Sequence, residues 1–395
     1  MTTPTCLSST LRSLFAALLL ALAACGGGVE TGGTGAGSYV QGPISGFGSI
    51  IVSGVRFDDG CAACIVDADD GRVARENLRL GMLVEVESGP ISNDGSGGRV
   101  ATATKVRLAS ELLGPVGLID LVNARIGVLG QLVRLTPATV VDGIAGGAVA
   151  LATGDVVEVY GFFDPNSGGG YVATRIERRP SAPANFRIRG AARNLDTAAR
   201  SLRIGLQLFD LTATGIPAGL ADGQFVRLSL QTAQVAGRWP VTRIAIESRS
   251  VGDRDEAELE GLVSEFTSPA LFSVNGVRVD AGNAPQVAGL ALGSRVKVRG
   301  RSQAGVLLAS SVTLRSDDDA FNDGVDVRDL IAAVDVSSQT FSLRGITVFY
   351  GLVPTDRFSN GTVADLVAGR RVRVRGVLSA DRTRVVATRI EFISD

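Results

Sequence analysis

Five copies of one motif, L-x-x-G followed by an alternating apolar and polar run, set the plan of this chain. The motif begins at Leu78, Leu151, Leu220, Leu290 and Leu366, at intervals of 73, 69, 70 and 76 residues. Each copy leads into a run such as "DVVEVYG" and, after a turn, a second run such as "VATRIERR". A motif that recurs at a nearly constant interval indicates a tandem array, in which each repeat is one structural unit.

Each repeat also has an earlier half, in which a short strand leads into a hairpin that turns on glycine. The hairpins read "IIVSGVRF", "IGVLGQLVRL", "FSVNGVRV" and "FSLRGITVF". Asn275 and Gly276 give the strongest turn signal, because both residue types tolerate the positive φ of a tight two-residue turn. The third repeat, "SLRIGLQLFD", places its glycine one residue early, so its register is the least well defined.

The pattern predicts an all-β fold in which each repeat has five strands and a short irregular or one-turn helical link between the third and fourth. In no long segment do apolar residues recur with the period of a helix. The runs that alternate apolar and polar residues are short, and the chain has 50 glycines, many of which lie between these runs. A small open sheet would leave two free edges, so we expect each repeat to close into an OB-like barrel. A small open sandwich or a continuous β-stack is the alternative. In the barrel, the motif leucine closes the bottom and the motif glycine permits the turn into strand four.

The repeat spacing and composition divide the chain into seven segments. They are a lipoprotein signal peptide (1–24), a lipidated cysteine with a Gly-rich tether (25–38), and β repeats 1 to 5 (39–108, 109–180, 184–248, 257–315 and 325–395). The tether "GGGVETGGTGAGS" has almost nothing to bury, so we expect it to be a flexible linker.

The N-terminus indicates export. An apolar run from Leu14 to Ala24 follows Arg12, and its length is typical of a secretory signal peptide rather than a membrane span. The stretch from Leu22 to Cys25 resembles a bacterial lipobox, in which Cys25 would carry the lipid that attaches the protein to a membrane. Gly26 after the cysteine favours, by resemblance to known sorting rules, the outer membrane. The expected location is therefore the bacterial cell envelope.

The residue inventory argues against most catalytic chemistry. The chain has no histidine, which excludes His-based triads, His-dependent acid–base steps and most transition-metal sites. No serine or tyrosine lies in a recognisable nucleophile motif. Without Arg12 the chain carries 38 basic and 40 acidic groups (39 less one, against 40), so it has no global attraction to nucleic acid. We expect a protein that is not an enzyme and needs no cofactor.

Cys61 and Cys64 form a C-x-x-C pair in "DDGCAACIVDADDG". In an oxidising compartment such a close pair is expected to form a disulfide, either as a structural clip for one loop or as a redox-active pair. Redox pairs of this kind open a helix, whereas this one lies between strand-like runs with acidic neighbours, which favours the clip. Zinc is excluded because no further Cys or His completes a ligand set.

Two acidic segments, "DADDG" (67–71) and "DDDAFNDGVD" (317–326), superficially resemble calcium loops. Neither follows EF-hand spacing: counted from Asp319, Phe321 occupies the third position and Leu330 the twelfth. We interpret both segments as solvated linkers and expect no metal site.

The outward positions of strand four change sign along the array. They are acidic in repeats 1 and 2, with Glu85, Glu87 and Glu158, and basic in repeats 4 and 5. One hypothesis is a polyanion-binding face, since aligned guanidinium groups suit carboxylates and phosphates. The alternatives are an ordinary solvated face, or salt bridges between neighbouring barrels. The residues of the hypothetical face are Arg295, Lys297, Arg299, Arg301, Arg371, Arg373 and Arg375.

Several segments resemble the repeats of bacterial DUF5666 proteins, a family of uncharacterised exported β domains. They are "GPISGFGSIIVSGVRFD", "LRLGMLVEVE", "VGLIDLVNARIGVLGQLVRL" and "GYVATRIE". The resemblance is good in repeats 1 and 2, fair in 4 and 5 and weak in 3. It implies a β fold and an export route, and it brings no catalytic residues with it.

Two functions follow as hypotheses. The first is a non-enzymatic envelope lipoprotein whose β repeats act as a spacer or bind an acidic glycan or a protein partner. The second is a thiol-redox lipoprotein that uses Cys61 and Cys64. Nucleic acid is not an expected partner, because the strands lack the interleaved aromatic side chains on which bases stack.

Overall fold

The structure, a computed structural model, describes residues 37–394 except 61–63, 69–70, 96, 248 and 317–323. Strands and short 3-10 turns account for its regular elements, and residues 37–395 form one compact unit. The all-β prediction is therefore confirmed. No helix in the described part of the chain has the length and apolarity needed to cross a membrane.

Several strands of repeat 1 alternate buried and more exposed side chains, as expected for sheets with one face in a core, whereas the last two strands of repeat 2 are buried along most of their length. The strands of repeat 1 are β1 (Ser38–Phe47), β2 (Ile50–Val52), β3 (Val55–Asp58), β4 (Ile65–Val66), β5 (Leu83–Ser88), β6 (Ser92–Asn93) and β7 (Arg99–Leu108). Those of repeat 2 are β8 (Leu112–Asp120), β9 (Arg125–Val128), β10 (Gln131–Arg134), β11 (Val140–Asp142), β12 (Val156–Asp164) and β13 (Gly170–Arg178).

Repeats 3 to 5 follow the same succession of strands. Repeat 3 has β14 (Phe186–Ala191), β15 (Arg193–Asp196), β16 (Ser201–Ile204), β17 (Gln207–Asp210), β18 (Phe225–Leu230) and β19 (Trp239–Ile246). Repeat 4 has β20 (Arg254–Ser268), β21 (Leu271–Val274), β22 (Val277–Asp280), β23 (Arg295–Gln303) and β24 (Val306–Leu314). Repeat 5 has β25 (Val325–Asp335), β26 (Thr340–Leu343), β27 (Ile346–Phe349), β28 (Phe358–Ser359), β29 (Arg371–Leu378) and β30 (Val385–Phe392).

Short 3-10 turns complete the regular elements. They are Arg75–Asn77, Gly147–Ala150, Pro165–Ser167, Thr355–Arg357 and Val363–Asp365. All but Pro165–Ser167 lie between strands three and four of their repeats, where the sequence predicts an irregular or one-turn helical link.

Two closed five-stranded barrels are formed by repeats 2 and 4. In repeat 2, β8 pairs with β9, β9 with β10, β10 in parallel with β13, β13 with β12, and β12 again with β8. In repeat 4, β20, β21, β22, β24 and β23 close in the same order. A parallel third and fifth strand within an otherwise antiparallel ring is the strand order of an OB-type barrel.

The strands of the other three repeats pair in the same sequence. In repeat 1 the order is β1, β2, β3, β7, β5 and β1 again. In repeat 5 it is β25, β26, β27, β30, β29 and β25. In repeat 3, β14 and β15 together supply the first strand, which pairs with β18 and β16.

The hairpin between strands two and three shows how glycine sets the register. Asn275 and Gly276 have φ values of 49° and 82°, as a two-residue turn with two positive φ values requires. In repeat 3, Gly205 has a φ of 56°, whereas Leu206 is not among the residues with positive φ. A turn whose first central residue alone has positive φ is of type II′, which explains the glycine that comes one place early.

Strands also pair between repeats, which a string of separate barrels would not do. Residues 38–41 of β1 lie parallel to 256–259 of β20, and residues 46–47 of β1 lie parallel to 326–327 of β25. Repeats 2 and 3 are joined through β8 and β14. The first strand of repeat 1 therefore pairs with those of repeats 4 and 5, and the first strands of repeats 2 and 3 pair with each other.

The apolar core merges across repeats in the same pattern. One cluster of buried side chains combines repeats 1 and 5 with three side chains of repeat 2, a second combines repeats 2 and 3, and a third is centred on repeat 4. A small fourth cluster, Leu83, Phe162, Val172 and Leu262, joins repeats 1, 2 and 4. All five motif leucines, which the sequence predicts inside the barrels, are buried.

The motif glycines give a test of how the repeats fold and pack. All five have positive φ, and a Cβ on Gly223 would meet no atom within 4 Å, whereas one on Gly81 would lie 2.6 Å from the Thr174 carbonyl oxygen of repeat 2. We expect Gly223→Ala to cost about 1 kcal/mol through backbone strain alone, and Gly81→Ala to cost clearly more. Thermal unfolding midpoints of the two variants measure the difference.

Gly117→Ala is the matched control, because Gly117 does not have a positive φ and an added Cβ would meet nothing within 4 Å. Its midpoint should stay at or slightly above that of the unmodified chain. Equal losses for Gly81→Ala and Gly223→Ala would contradict a close contact between repeats 1 and 2 at this turn.

Candidate functional site

The outward side chains of strands one and four lie where repeats meet. In repeat 4, Glu258 stands opposite Arg299 and Glu260 opposite Lys297 in the strand register. In repeat 5, Asp326 stands opposite Arg375, and Arg328 is opposite Arg373. Because β1 pairs with both β20 and β25, these two charged faces flank the same strand of repeat 1.

Glu258 is a buried carboxylate that binds three cations. Its oxygens lie 2.8 Å from Arg99, 2.7 Å from Lys297 and 2.6 Å from Arg299, and its side chain is fully buried. Burial alone would raise the pKa of Glu258, but the three cations outweigh it and the pKa is lowered. Burial lowers the pKa of Lys297 in turn. Arg99 comes from repeat 1, so this cluster joins repeats 1 and 4.

Asp326 is the corresponding carboxylate of repeat 5. Arg373 donates to it from Nε at 2.9 Å and from Nη2 at 2.5 Å, and Arg56 and Arg375 each lie 3.8 Å away. The hydrogen bond to Asp326 raises the pKa of Arg373, which keeps it charged. Arg56 comes from β3, so this second cluster joins repeats 1 and 5.

A cleft of about 740 Å³, which we call the basic cleft, lies between these two clusters and is bordered by repeats 1, 4 and 5. Its acidic lining residues are Asp94, Glu260, Asp326 and Glu391. Its basic lining residues are Arg56, Arg99, Lys297, Arg315, Arg328, Arg373 and Arg375. Seven cations against four carboxylates give the lining a formal charge of +3 (7 − 4), in a chain whose net charge is −1.

The structure places the residues of the hypothetical polyanion-binding face in different surroundings. Lys297, Arg373 and Arg375 line the basic cleft. Arg295 is buried, pairs with Glu260 at 2.7 Å, and lies 5.4 Å from the ring centre of Phe162 in repeat 2.

The other three members lie outside the lining of the basic cleft. Arg299 pairs with Glu258, Arg301 is exposed at the end of the same strand, and Arg371 is half-buried at the start of β29. Four lining cations were not predicted, namely Arg56, Arg99, Arg315 and Arg328. Arg328 could have been found from its position two residues after Asp326, because alternate residues share a strand face.

A second charged junction joins repeats 2 and 3 beside the paired strands β8 and β14. Arg189 binds Glu111 at 3.0 Å and Glu247 at 2.7 Å, and Arg187 binds Glu158 at 2.9 Å. Glu158, one of the acidic strand-four positions, is therefore part of a salt bridge between repeats. This arrangement is the one described by the inter-barrel alternative.

Glu85 lies at the edge of this junction, in a cavity of about 370 Å³ where repeats 1 to 4 meet. Burial raises the pKa of its carboxyl group, and nearby Arg189, Arg107 and Arg249 compensate only in part. Glu85 also accepts a hydrogen bond from Tyr39, whose own pKa is raised by burial and by the two neighbouring glutamates.

The cysteine hypotheses fall partly outside the described residues. Cys64 is disulfide-bonded and packs against the core of repeats 1 and 5. Cys61 and the lipidation residue Cys25 lie outside the described residues, so the structural-clip and redox interpretations both remain predictions. Among the residues that the structure describes, no group of three or more Cys, Asp or Glu side chains is placed to hold a metal ion.

The fold and the charged junctions define the class of this chain as an array of OB-type β repeats packed through their first strands. The chain carries three segments of Domain of unknown function (DUF5666), at residues 114–177, 260–313 and 330–391. These segments fall in repeats 2, 4 and 5. Repeat 1, which also resembles the family by its residues, lies outside the matched segments.

The chain is similar to a solved structure, drosophila Unr CSD456, at 12% identity over 72% of this chain and 97% of that one, with a TM-score of 0.13. A likeness this low supports no argument about the fold or the ligand of this protein. No curated protein matches the chain.

The two glutamates with opposite pKa shifts predict opposite effects of pH. The pKa of Glu258 is below its ordinary value of 4.5, so its ion pairs stabilise the fold above that pH and are lost as the pH falls further. We expect Glu258→Gln to cost about 3 kcal/mol at pH 7, because it leaves three cations around a neutral side chain. The difference in thermal midpoint from the unmodified chain should shrink below pH 4.5.

Glu85→Gln serves as the opposite control. The pKa of Glu85 is raised, so its charged form costs stability at neutral pH and the cost vanishes below pH 4.5, where the group is protonated in both states. The variant should therefore have a higher midpoint at pH 7 and an unchanged one at pH 4 or below. A lower midpoint at pH 7 would show that Glu85 is held by an ion pair.

Proposed function

We propose that this chain is a non-enzymatic binding module of the bacterial cell envelope, in which five OB-like barrels form a single body and the basic cleft binds an acidic glycan. The observation that carries the proposal is the concentration of seven cations around one cleft in a chain of nearly balanced charge. A cleft whose lining carries a net positive charge raises the local concentration of anions.

Three features support five barrels of one kind. The strands pair in one order in every repeat, each repeat buries its motif leucine, and each motif glycine has positive φ. A shared plan explains why the outward positions of strands one and four recur at the contacts between repeats. The proposal therefore treats the array as one rigid scaffold rather than as a flexible spacer.

The ligand class follows from the chemistry of the lining. Guanidinium groups present planar forks that match carboxylates, and Arg373 already binds a carboxylate in this way at Asp326. The four acidic residues of the lining lie among seven cations. A binding role fits this arrangement better than an enzymatic one.

The proposal places the protein on a membrane through a lipid on Cys25.

 The support is the apolar run that precedes the lipobox-like stretch ending at this residue. Residues 26–37, rich in glycine, would then act as the tether between the lipid and β1, which begins at Ser38. By the sorting resemblance at Gly26, the membrane is the outer one.

Membrane attachment can be tested on the full chain in a bacterial host. We expect Cys25→Ser to move the protein from the membrane fraction to the soluble fraction, because the lipid is the proposed source of membrane affinity. Cys6→Ser is the matched control, since it changes a cysteine of the same leader and should leave fractionation unchanged. Retention of the Cys25→Ser variant in the membrane fraction would contradict the anchor.

Ligand binding can be tested by titrating the soluble array, residues 37–395, with oligogalacturonate as the acidic glycan probe. We expect the triple variant Arg56→Gln, Arg328→Gln and Arg375→Gln to bind about tenfold more weakly or worse, because three cleft cations are removed. Isothermal calorimetry at low and at physiological ionic strength gives the affinity and its dependence on salt.

The control removes the same charge elsewhere. Arg193, Arg200 and Arg203 are exposed in repeat 3, away from the basic cleft, and their triple glutamine variant should bind the probe as the unmodified array does. Equal weakening by both triple variants would show that the probe responds to net charge rather than to the cleft, and the proposed site would then be wrong.

A further inference from the structure

One end of the basic cleft is built around a carboxylate of the protein itself. Arg373 holds Asp326 in a side-on fork, with Nε 2.9 Å from Oδ1 and Nη2 2.5 Å from Oδ2. Arg56 and Arg375 approach the same Oδ2 oxygen at 3.8 Å. Three positive charges, from two repeats, therefore share one negative charge.

The neighbouring charges leave this excess in place. Arg328, two residues along β25 on the same strand face, is exposed and makes no ion pair with the described part of the chain. Glu391 on β30 stands opposite Arg373 in the strand register and supplies the second carboxylate. Four guanidinium groups thus face two carboxylates, a formal surplus of +2 (4 − 2) at this end.

Asp326 can be reached from the cleft. Its side chain is 21% exposed, and that of Arg375 is 55% exposed, so the outer guanidinium groups have room for a second anion beside Asp326. The geometry around Asp326 also shows which anion the site accommodates, since the fork of Arg373 is occupied by a planar carboxylate.

We propose that Asp326 is an internal competitor for the ligand of the basic cleft, and that this ligand is a chain bearing several carboxylates, such as a uronic acid polymer. The inference rests on the proposed function and deepens it. A ligand carboxylate must share or take over the guanidinium groups that Asp326 holds, so Asp326 sets the affinity of the site.

More than one carboxylate is required because the cations are spread along the cleft. Lys297 at the repeat 4 end donates to the carbonyl oxygen of Ser53 and pairs with Glu258, while Arg375 and Arg328 lie at the repeat 5 end. A single carboxylate engages only one end. A polymer engages both ends, and the second contact is then intramolecular and gains from a high effective concentration.

The test is the affinity of the soluble array for oligogalacturonate after Asp326→Asn. This change keeps the shape of the side chain and removes its charge, so the affinity should rise about three- to tenfold. The matched control is Asp356→Asn, which removes the same charge from an exposed aspartate of repeat 5 and should leave the affinity unchanged. Galacturonic acid monomer should bind far more weakly than the polymer to every variant.

Two further variants separate the inference from general effects on folding. Asp326→Ser gives a second neutral side chain and should show the same gain, with thermal midpoints recorded for both. In the double variant Asp326→Asn with Arg375→Gln, the gain should disappear, because the freed guanidinium is removed as well.

The outcomes distinguish the two proposals. An unchanged or reduced affinity of Asp326→Asn, while the Arg56, Arg328 and Arg375 triple variant still loses binding, overturns the competitor role and leaves the proposed function standing. A probe that binds no variant overturns both. Inorganic polyphosphate bound more tightly than oligogalacturonate by the unmodified array would overturn the carboxylate class.

Discussion

The architecture depends on backbone pairing at the first strand of each repeat. In the closed barrels, one half of the first strand pairs with strand four and the other half with strand two, as β20 does with β23 and β21. Each half therefore keeps one row of backbone groups that its own barrel does not use. Such a row is an open edge, and proteins cover edges because unpaired amide and carbonyl groups invite association.

The repeats cover these edges with one another. The first half of β1 lies parallel to β20, its second half reaches β25, and β8 lies antiparallel to β14. Since the spare edges are in the same place in every repeat, pairing them brings first strands together. The merging of the apolar cores follows from this geometry, because barrels joined through strand one also bury the residues beside it.

The pairing of first strands explains why oppositely charged side chains lie at the outward positions of strands one and four. Once first strands are joined, Glu258 and Arg189 face another repeat instead of water, and each would be costly to bury alone. Each is surrounded by opposite charges, Glu258 by Arg99, Lys297 and Arg299, and Arg189 by Glu111 and Glu247. Partners are supplied in both directions along the array, since repeat 1 gives Arg99 to Glu258 of repeat 4 and repeat 3 gives Arg187 to Glu158 of repeat 2. Side chains that alternate along a strand also penalise a one-residue slip, which would point every charge into a core.

The local features of the fold could be read from the sequence, and the contacts between repeats could not. The turn at Asn275 and Gly276, the glycine shift at Gly205 and the buried motif leucines each depend on a few neighbouring residues, so pattern and turn chemistry suffice. Which first strand meets which depends on edges that look alike in all five repeats. For the same reason Arg56 and Arg99, ordinary outward residues of repeat 1 in the sequence, were not expected beside Asp326 and Glu258.

The basic cleft is a consequence of how these contacts use charge. At one end Asp326 gathers three cations, and at the other Glu258 gathers three, of which Arg99 also pairs with Glu256 at 2.6 Å, so cations outnumber carboxylates at each joint. A structural salt bridge would need only one cation per carboxylate, and additional ones repel each other at a cost in stability. The cost is reduced if another anion is present in the cleft. The surplus cations at these two joints of β1 are the reason for proposing a ligand with several negative charges.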